Sequence, residues 1–292
     1  MKKKRYTESE IKFMLDNYPL HGPHYCSEHL GRSYTSIMGI ARRLNIKVAE
    51  VSRVKSALVL KKKAEARLLE YMSKQENYIE NFTPDISYTL GFLWGDGFLT
   101  LSDNRIYTNI EMAEEDFNQV FPFFKSLENE YKWKIYKRHR KDSWKPSIQA
   151  SISDRYLGYF LNFYDYKKKS GVSADKIVEL IPTEYLPYFF RGYFDADCHF
   201  KYERDDKINF NISSVYDQDW GFVSKYLNDD RIKISNNINK KGHKRSDFNI
   251  YNRASIKNIY NKVYKSYTQD KIGLKRKCEK FVNCINLYYD DL

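Results

Sequence analysis

Two carboxylates in matching surroundings are the first residues whose placement suggests chemistry. The segment Thr89-Leu90-Gly91-Phe92-Leu93-Trp94-Gly95-Asp96-Gly97 recurs as Phe190-Arg191-Gly192-Tyr193-Phe194-Asp195-Ala196-Asp197-Cys198, so that Asp96 and Asp197 lie 101 positions apart. That spacing is the length of one small domain. Gly91 and Gly95, like Gly192 and Ala196, are four apart and give each helix a stripe of small residues along which another backbone can approach. The two helices are therefore expected to pack together, placing Asp96 and Asp197 at adjacent C-termini. There the helix macrodipole is negative and the two carboxylates repel. A hard divalent ion such as Mg²⁺ relieves that repulsion. Cys198 and His199 add softer donors beside Asp197, but no further soft ligands stand at suitable spacing, so a transition-metal site is the minor alternative.

The elements that must position these carboxylates also repeat. Ile106, Thr108, Ile110 and Met112 alternate as a strand does, Asp116 to Tyr131 reads as a helix, and Trp133 to Arg140 with Ile148, Ala150 and Ile152 reads as a hairpin. After the second copy, Ile208, Phe210 and Ile212 alternate. A helix is expected from about Gln218 to Leu227, and Arg231 to Ile234 with Asp247 to Tyr251 forms another hairpin. Each half, 84–186 and 187–292, thus reads as helix, two strands, helix, two strands, helix, an α+β unit.

Upstream, residues 1–46 read as three short helices. Thr7-Glu8-Ser9-Glu10 fits a capping box, Ile11, Met14, Leu15 and Tyr18 share one face, and Pro19 is expected to stop the helix. A second helix runs from about Pro23 to Leu30 and closes at Gly31. Ser33 then caps a third, with a buried stripe of Ile37, Ile40, Ala41 and Leu44. This leaves Tyr34, Thr35, Ser36, Met38, Arg42 and Arg43 on its outer face, the residue types a helix presents to a major groove. Residues 47–83 read as a charged helical or extended linker, in which Lys61-Lys62-Lys63 either follows DNA phosphates or is simply solvated.

The paired nonapeptides, and Tyr185 through Asp197 in particular, resemble the signature of the LAGLIDADG homing endonucleases over roughly residues 84–290. The resemblance implies two pseudo-symmetric αββαββα halves forming a saddle, with Asp96 and Asp197 holding roughly two or three Mg²⁺ ions, which Mn²⁺ or Ca²⁺ can replace in binding. It also implies one catalytic lysine per half near the scissile phosphate. Lys277 matches in the second half and Lys169 in the first, with Lys168 and Lys275 a small register shift away. DNA-facing hairpins would carry Lys134, Lys137, Arg138 and Arg140 in the first half. In the second they would carry Lys201, Arg204, Lys240, Lys241, Lys244 and Arg245, with Tyr136, Trp144 and Tyr202 as aromatic neighbours. Because the halves differ, a long asymmetric double-stranded DNA target and a monomer are expected. Two positions depart from the repeat. Asp195 stands where the first copy has Trp94 and is read as supporting the metal site or as structural, and Cys198 replaces the signature glycine, which predicts a strained turn or weakened catalysis in one half. The first 46 residues are similar to Myb/SANT-like helix-turn-helix modules, implying an added DNA reader; the alternative is a helical cap that packs on the next domain.

Charge and composition agree with such a partner. Lys and Arg number 50 against 38 Asp and Glu, a net charge of +12, and the 26 Tyr offer stacking faces beside the cations, favouring nucleic acid over a membrane surface. Apolar runs such as Leu90 to Trp94 fall far short of the ~20 residues that span a bilayer. Met1 to Arg5 is basic, but no apolar signal core follows it. Four cysteines without metal-ligand spacing read as reduced packing residues. The expected setting is a bacterial or phage-like cytoplasm or an organelle rather than the secretory route, with no small-molecule substrate. The sequence reads as a Mg²⁺-dependent, site-specific double-strand DNA endonuclease. The alternative is a catalytically impaired DNA-binding regulator or intron RNA maturase of the same fold.

Overall fold

The computed structural model of the protein describes residues 6–49, 78–102, 105–138, 146–202, 208–214, 217–238 and 242–289. Arg140, Trp144, Arg204, Lys240, Lys241 and the Lys61 to Lys63 run lie outside the described residues, as does most of the 47–83 segment. The chain divides into two compact units, Met1–Tyr71 and Met72–Leu292. Among the described residues no helix is long and apolar enough to cross a membrane.

In the first unit the capping box forms: the Thr7 hydroxyl accepts the Glu10 N–H at 3.3 Å, and the Glu10 carboxylate accepts the Thr7 N–H at 2.7 Å. The expected stop at Pro19 does not occur. Helix α1 runs Glu8–Leu30 and bends at Gly22 (φ 79, ψ −176), because the residue before Pro23 is driven out of the helical region and glycine alone takes a positive φ cheaply. Non-helical Gly22 divides it, so the segment after Gly22 is the second helix expected from Pro23 to Leu30, and α2, Tyr34–Arg43, is the third. Met14, Tyr18, Cys26, Ile37, Ile40 and Ala41 form the core. Leu15 and Leu44, expected inside, are exposed; Leu44 lies past the last turn of α2, where the helical period no longer applies. The Arg32 guanidinium forks onto Glu10 at 2.9 and 3.0 Å, fastening the turn before α2 to the start of α1. That hydrogen bond is the main reason the Glu10 carboxyl is drawn down to about 2.

The second unit repeats one connectivity. Its first half comprises α3 (Pro84–Asp96), β1 (Phe98–Ser102), β2 (Arg105–Ala113), α4 (Glu114–Phe124), β3 (Lys134–Arg138), β4 (Ser147–Ile152) and α5 (Arg155–Phe163). After a short α6 (Asp175–Leu180), the second half follows as α7 (Leu186–Asp197), β5 (Cys198–Tyr202), β6 (Ile208–Ser214), α8 (Gly221–Leu227), β7 (Lys233–Ile238), β8 (Lys244–Ile250) and α9 (Arg253–Ile259). A π-helical turn, Tyr260–Tyr264, then leads through α10 (Tyr267–Asp270) to α11 (Lys275–Tyr289). The antiparallel sheets have equivalent orders, β1-β2-β4-β3 and β5-β6-β8-β7. The α+β reading and its αββαββα order hold, with shifted ends. Helix α4 starts two residues earlier than expected, its first turn filled by Glu114, Glu115 and Asp116, which the macrodipole favours there. Strand β7 starts after Arg231, whose side chain is held by Asp229 in the preceding turn.

The two motif helices, α3 and α7, cross through their small residues. A Cβ on Gly91 would collide with the Phe189 carbonyl, one on Gly192 with the Tyr88 carbonyl, and one on Gly95 with the Ala196 side chain. Around this crossing one apolar core serves both halves, with Phe92, Leu93, Phe190 and Phe194 buried beneath the sheets. Gly192→Ala should therefore cost about 3 kcal/mol, because the backbone it strikes cannot move aside as a side chain would. Gly39→Ala, in the middle of α2 where a Cβ meets nothing within 4 Å, should instead gain about 0.5–1 kcal/mol. Urea unfolding of the two variants checks both signs; a harmless Gly192→Ala would contradict the backbone contact.

Candidate active site and nucleic-acid interface

Helices α3 and α7 end at Asp96 and Asp197, and their crossing brings the two carboxyls close enough to perturb each other. Each aspartate keeps a side open to solvent, while the helix ends crowd it from the other directions. That crowding, and next the charge of Asp197, holds the Asp96 proton up to about 7; Asp197 is raised as well, chiefly by the same loss of water. Without a cation, one proton shared between the two oxygens relieves the repulsion. Two carboxylates open to water suit a hard divalent ion, since Mg²⁺ keeps several waters and takes only one or two protein carboxylates. Among the described residues no group of three or more His, Cys, Asp or Glu side chains converges.

The lysines separate by position. Lys169 Nζ donates to the carbonyl oxygens of Leu93 at 3.1 Å, Trp94 at 2.8 Å and Gly95. Lys277 Nζ donates to those of Phe194 at 3.1 Å, Asp195 at 2.6 Å and Cys198 at 2.8 Å. Each ammonium therefore caps the C-terminus of its own half's motif helix and spends all three of its donors on carbonyls. The side chains of Lys168 and Lys275, the register alternatives, stay largely in solvent. Burial draws Lys169 down to about 8, against the pull of Asp197 and Asp96.

Two motif positions depart from expectation. Gly97 (φ −75, ψ 160) and Cys198 (φ −79, ψ 142) share an extended backbone open to any residue, so Cys198 strains no turn. Gly97 is needed for room: a Cβ there would strike the Tyr166 hydroxyl, which itself donates to Leu93 O at 2.7 Å. Asp195 is fully engaged away from the carboxyl pair. Its Oδ2 accepts the Tyr88 hydroxyl at 2.9 Å and the Leu274 N–H at 2.7 Å, and its Oδ1 accepts the Tyr264 hydroxyl at 3.2 Å. Beside Asp197 a pocket of about 240 Å³ opens, lined by Trp94, Lys169, Ser170, Ser213, Ser214 and Gln218 among others. Tyr166 and this pocket escaped the sequence reading, which offered no signal for either.

Strand register assigns the hairpin residues to faces. Lys134↔Ser151, Tyr136↔Gln149 and Arg138↔Ser147 pair across β3 and β4, so Lys134 and Arg138 lie on the polar face with Asn109 and Gln149. Lys137 lies on the opposite face with Ile148 and pairs with Glu114 at 3.0 Å. In the second sheet Lys201 shares a face with His199, Asn209 and Asn211, and Arg245 is on that same face, held by Asp247 at 2.7 Å. Lys244 alternates to the face of Phe248 and Ile250 and bonds Asp217 at 2.9 Å. Amides fill the polar faces, with Gln149 donating to Asn109 at 3.0 Å and Asn211 to Asn249 at 2.7 Å. A selection by positive charge passed over these neutral residues. In the first unit Tyr34, Thr35, Arg42 and Arg43 are exposed on α2, whereas Ser36 is half-buried and bonded to the Tyr6 hydroxyl at 2.9 Å.

No family model matches the sequence, and no curated protein matches it. Solved structures do. The homing endonuclease I-DmoI, as mesophilic variants, is 20% identical with a TM-score of 0.46, over 68% of this chain and 97% of that one. The LAGLIDADG meganuclease I-AabMI, bound to uncleaved DNA, is 13% identical with a TM-score of 0.45, over 70% and 91%. Full-length WhiA from Thermatoga maritima is 15% identical with a TM-score of 0.42, over 74% and 65%.

The raised carboxyls give the stability a definite sign. A carboxyl that holds its proton more tightly when folded stabilises the fold at low pH, and that contribution is lost as pH rises through its folded value. In chelator, the melting temperature should therefore fall as pH rises from the ordinary carboxylate range toward about 7 and level off above it. Mg²⁺ should reverse the fall, and Asp96→Asn should abolish most of it. Thermal melts across pH with and without Mg²⁺ test this; an Asp96→Asn profile identical to that of the parent would contradict it.

Proposed function

We propose that the protein is a site-specific double-strand DNA endonuclease that hydrolyses phosphodiester bonds with divalent metal held by Asp96 and Asp197. The observation that carries this reading is the carboxyl pair itself, set by two equivalent helices and capped on each side by a buried or half-buried lysine. A bound Mg²⁺ would supply a nucleophilic water at neutral pH and stabilise charge on the leaving oxygen. Asp96 and Asp197 would hold it, and Lys169 and Lys277 would keep the helix ends fixed while their charges favour the phosphate.

The rest of the molecule supports DNA as partner. Exposed Lys134, Arg138, Lys201 and Arg245, with half-buried Asn211 beside them, provide the cationic and amide groups that anchor phosphates and read base edges, while buried Asn109, Gln149 and Asn249 hold the sheet faces beneath them. The two faces differ in residue and charge, which favours a long asymmetric target and a monomeric enzyme. The exposed Tyr34, Thr35, Arg42 and Arg43 make α2 the reader helix of an added DNA-binding unit.

Incubation with a plasmid library of randomised inserts in Mg²⁺, followed by recovery of cut molecules, should yield one target. Asp96→Asn and Asp197→Asn should each reduce cutting of that target by about a thousand-fold or more while changing affinity little in Ca²⁺. Binding without cutting by the parent chain would instead favour a DNA-binding regulator. Full cutting by both variants would sink the metal assignment.

A further inference from the structure

The turn that carries Lys277 is held by the other half of the unit. Arg276 forks onto Asp116 of α4, Nε to Oδ1 at 2.8 Å and Nη2 to Oδ2 at 2.6 Å, and the Lys275 N–H donates to Gln119 Oε1, also on α4, at 3.1 Å. Asp116 is buried at this contact. Because Lys275, Arg276 and Lys277 occupy one helical turn, a shift of Arg276 carries Lys277 with it. The first half is built differently. Lys168 precedes Lys169 as Arg276 precedes Lys277, yet its Nζ lies 3.7 Å from Asp165 in its own turn. Lys169 is steadied by Tyr166, which donates to the same Leu93 carbonyl and belongs to the same half.

We infer that Asp116 is a positioning residue for Lys277, so that a first-half carboxylate sets the lysine of the second half while Lys169 is set by its own half. On the nuclease reading, with each helix end serving a different strand of the duplex, the two strands would be cut with different dependence on the brace. This inference rests on the nuclease reading for its effect on cleavage, though not for its effect on α11.

Two variants break the brace from opposite sides: Asp116→Ala, and Arg276→Ala, whose side chain is half exposed and whose loss leaves the core filled. Hydrogen exchange of the metal-free and DNA-free protein should show faster exchange at 274–281 in both variants and none of this change at 165–172. Equal exchange at 274–281 overturns the brace. Single-turnover cutting in Mg²⁺ of the duplex recovered from the library, with each strand separately labelled, should shift the ratio of strand rates by about ten-fold or more. Asp116→Glu should return the ratio toward that of the parent. Equal slowing of both strands overturns the positioning role, since general destabilisation would produce that. A parent chain that cuts neither strand overturns the nuclease reading, and the exchange result then decides the brace alone.

Discussion

The close approach of α3 and α7 is the constraint on which the rest of the second unit depends. At Gly91 and Gly192 the space a Cβ would take is held by the carbonyl of the opposite helix, so the two backbones touch without side chains between them. That contact determines where the helices end relative to one another, and it is why Asp96 and Asp197 meet. It also fuses the two halves into one core, since Phe92 and Phe190 on these helices pack into both sides of it. An apolar contact of this kind has a polar consequence: two helix C-termini and two carboxylates are forced together, and something must compensate for the negative charge.

The repeat is faithful where this packing is decided and departs from itself one step away. At the sixth motif position, Trp94 in the first half packs edge-on against Tyr166, with ring centroids 4.9 Å apart. Asp195 in the second half instead gathers Tyr88, Tyr264 and the Leu274 amide. Tyr88 belongs to α3, so the buried carboxylate ties the first motif helix to the segment that starts α11. Arg191, also buried, anchors the same segment through Val263 O, Ile272 O and Asp270. One half thus steadies its lysine by an aromatic neighbour and the other by a polar network that spans both halves.

What could be read from the sequence follows from how local each signal is. The duplicated nonapeptide and its small-residue stripe are contiguous, and their sterics carry directly into the helix crossing. The capping box at Thr7 and the αL closure at Gly31 are equally local. The break between the first two helices is also legible, but it falls at Gly22 rather than Pro19, because the glycine before Pro23 has both the freedom and the obligation to leave the helix. The charge of Lys137 and Lys244 points to the DNA-facing side, yet alternation from Ile148 and Phe248 places them on the other face. Lys169 could not be told from Lys168 without the distance to the helix end. Gly97 was explained by conformation when its cause is the Tyr166 hydroxyl, a residue 69 positions away that no local pattern announces.

The lysines bear on how such a site would work. With three donors each committed to helix carbonyls, Lys169 and Lys277 have no proton left for a phosphate oxygen in this arrangement, and they act through charge and placement. Each helix end carries roughly half a negative charge. Against the two ends and two ionised carboxylates, the two ammonium groups therefore leave an excess of about one negative charge. A shared proton cancels that excess. A divalent cation would reverse it, leaving a net positive centre between two polar sheet faces, the state in which the proposed site would attract a phosphodiester. On the proposed function, the same crossing that makes the metal-free centre unfavourable would thus make cation and DNA binding mutually reinforcing.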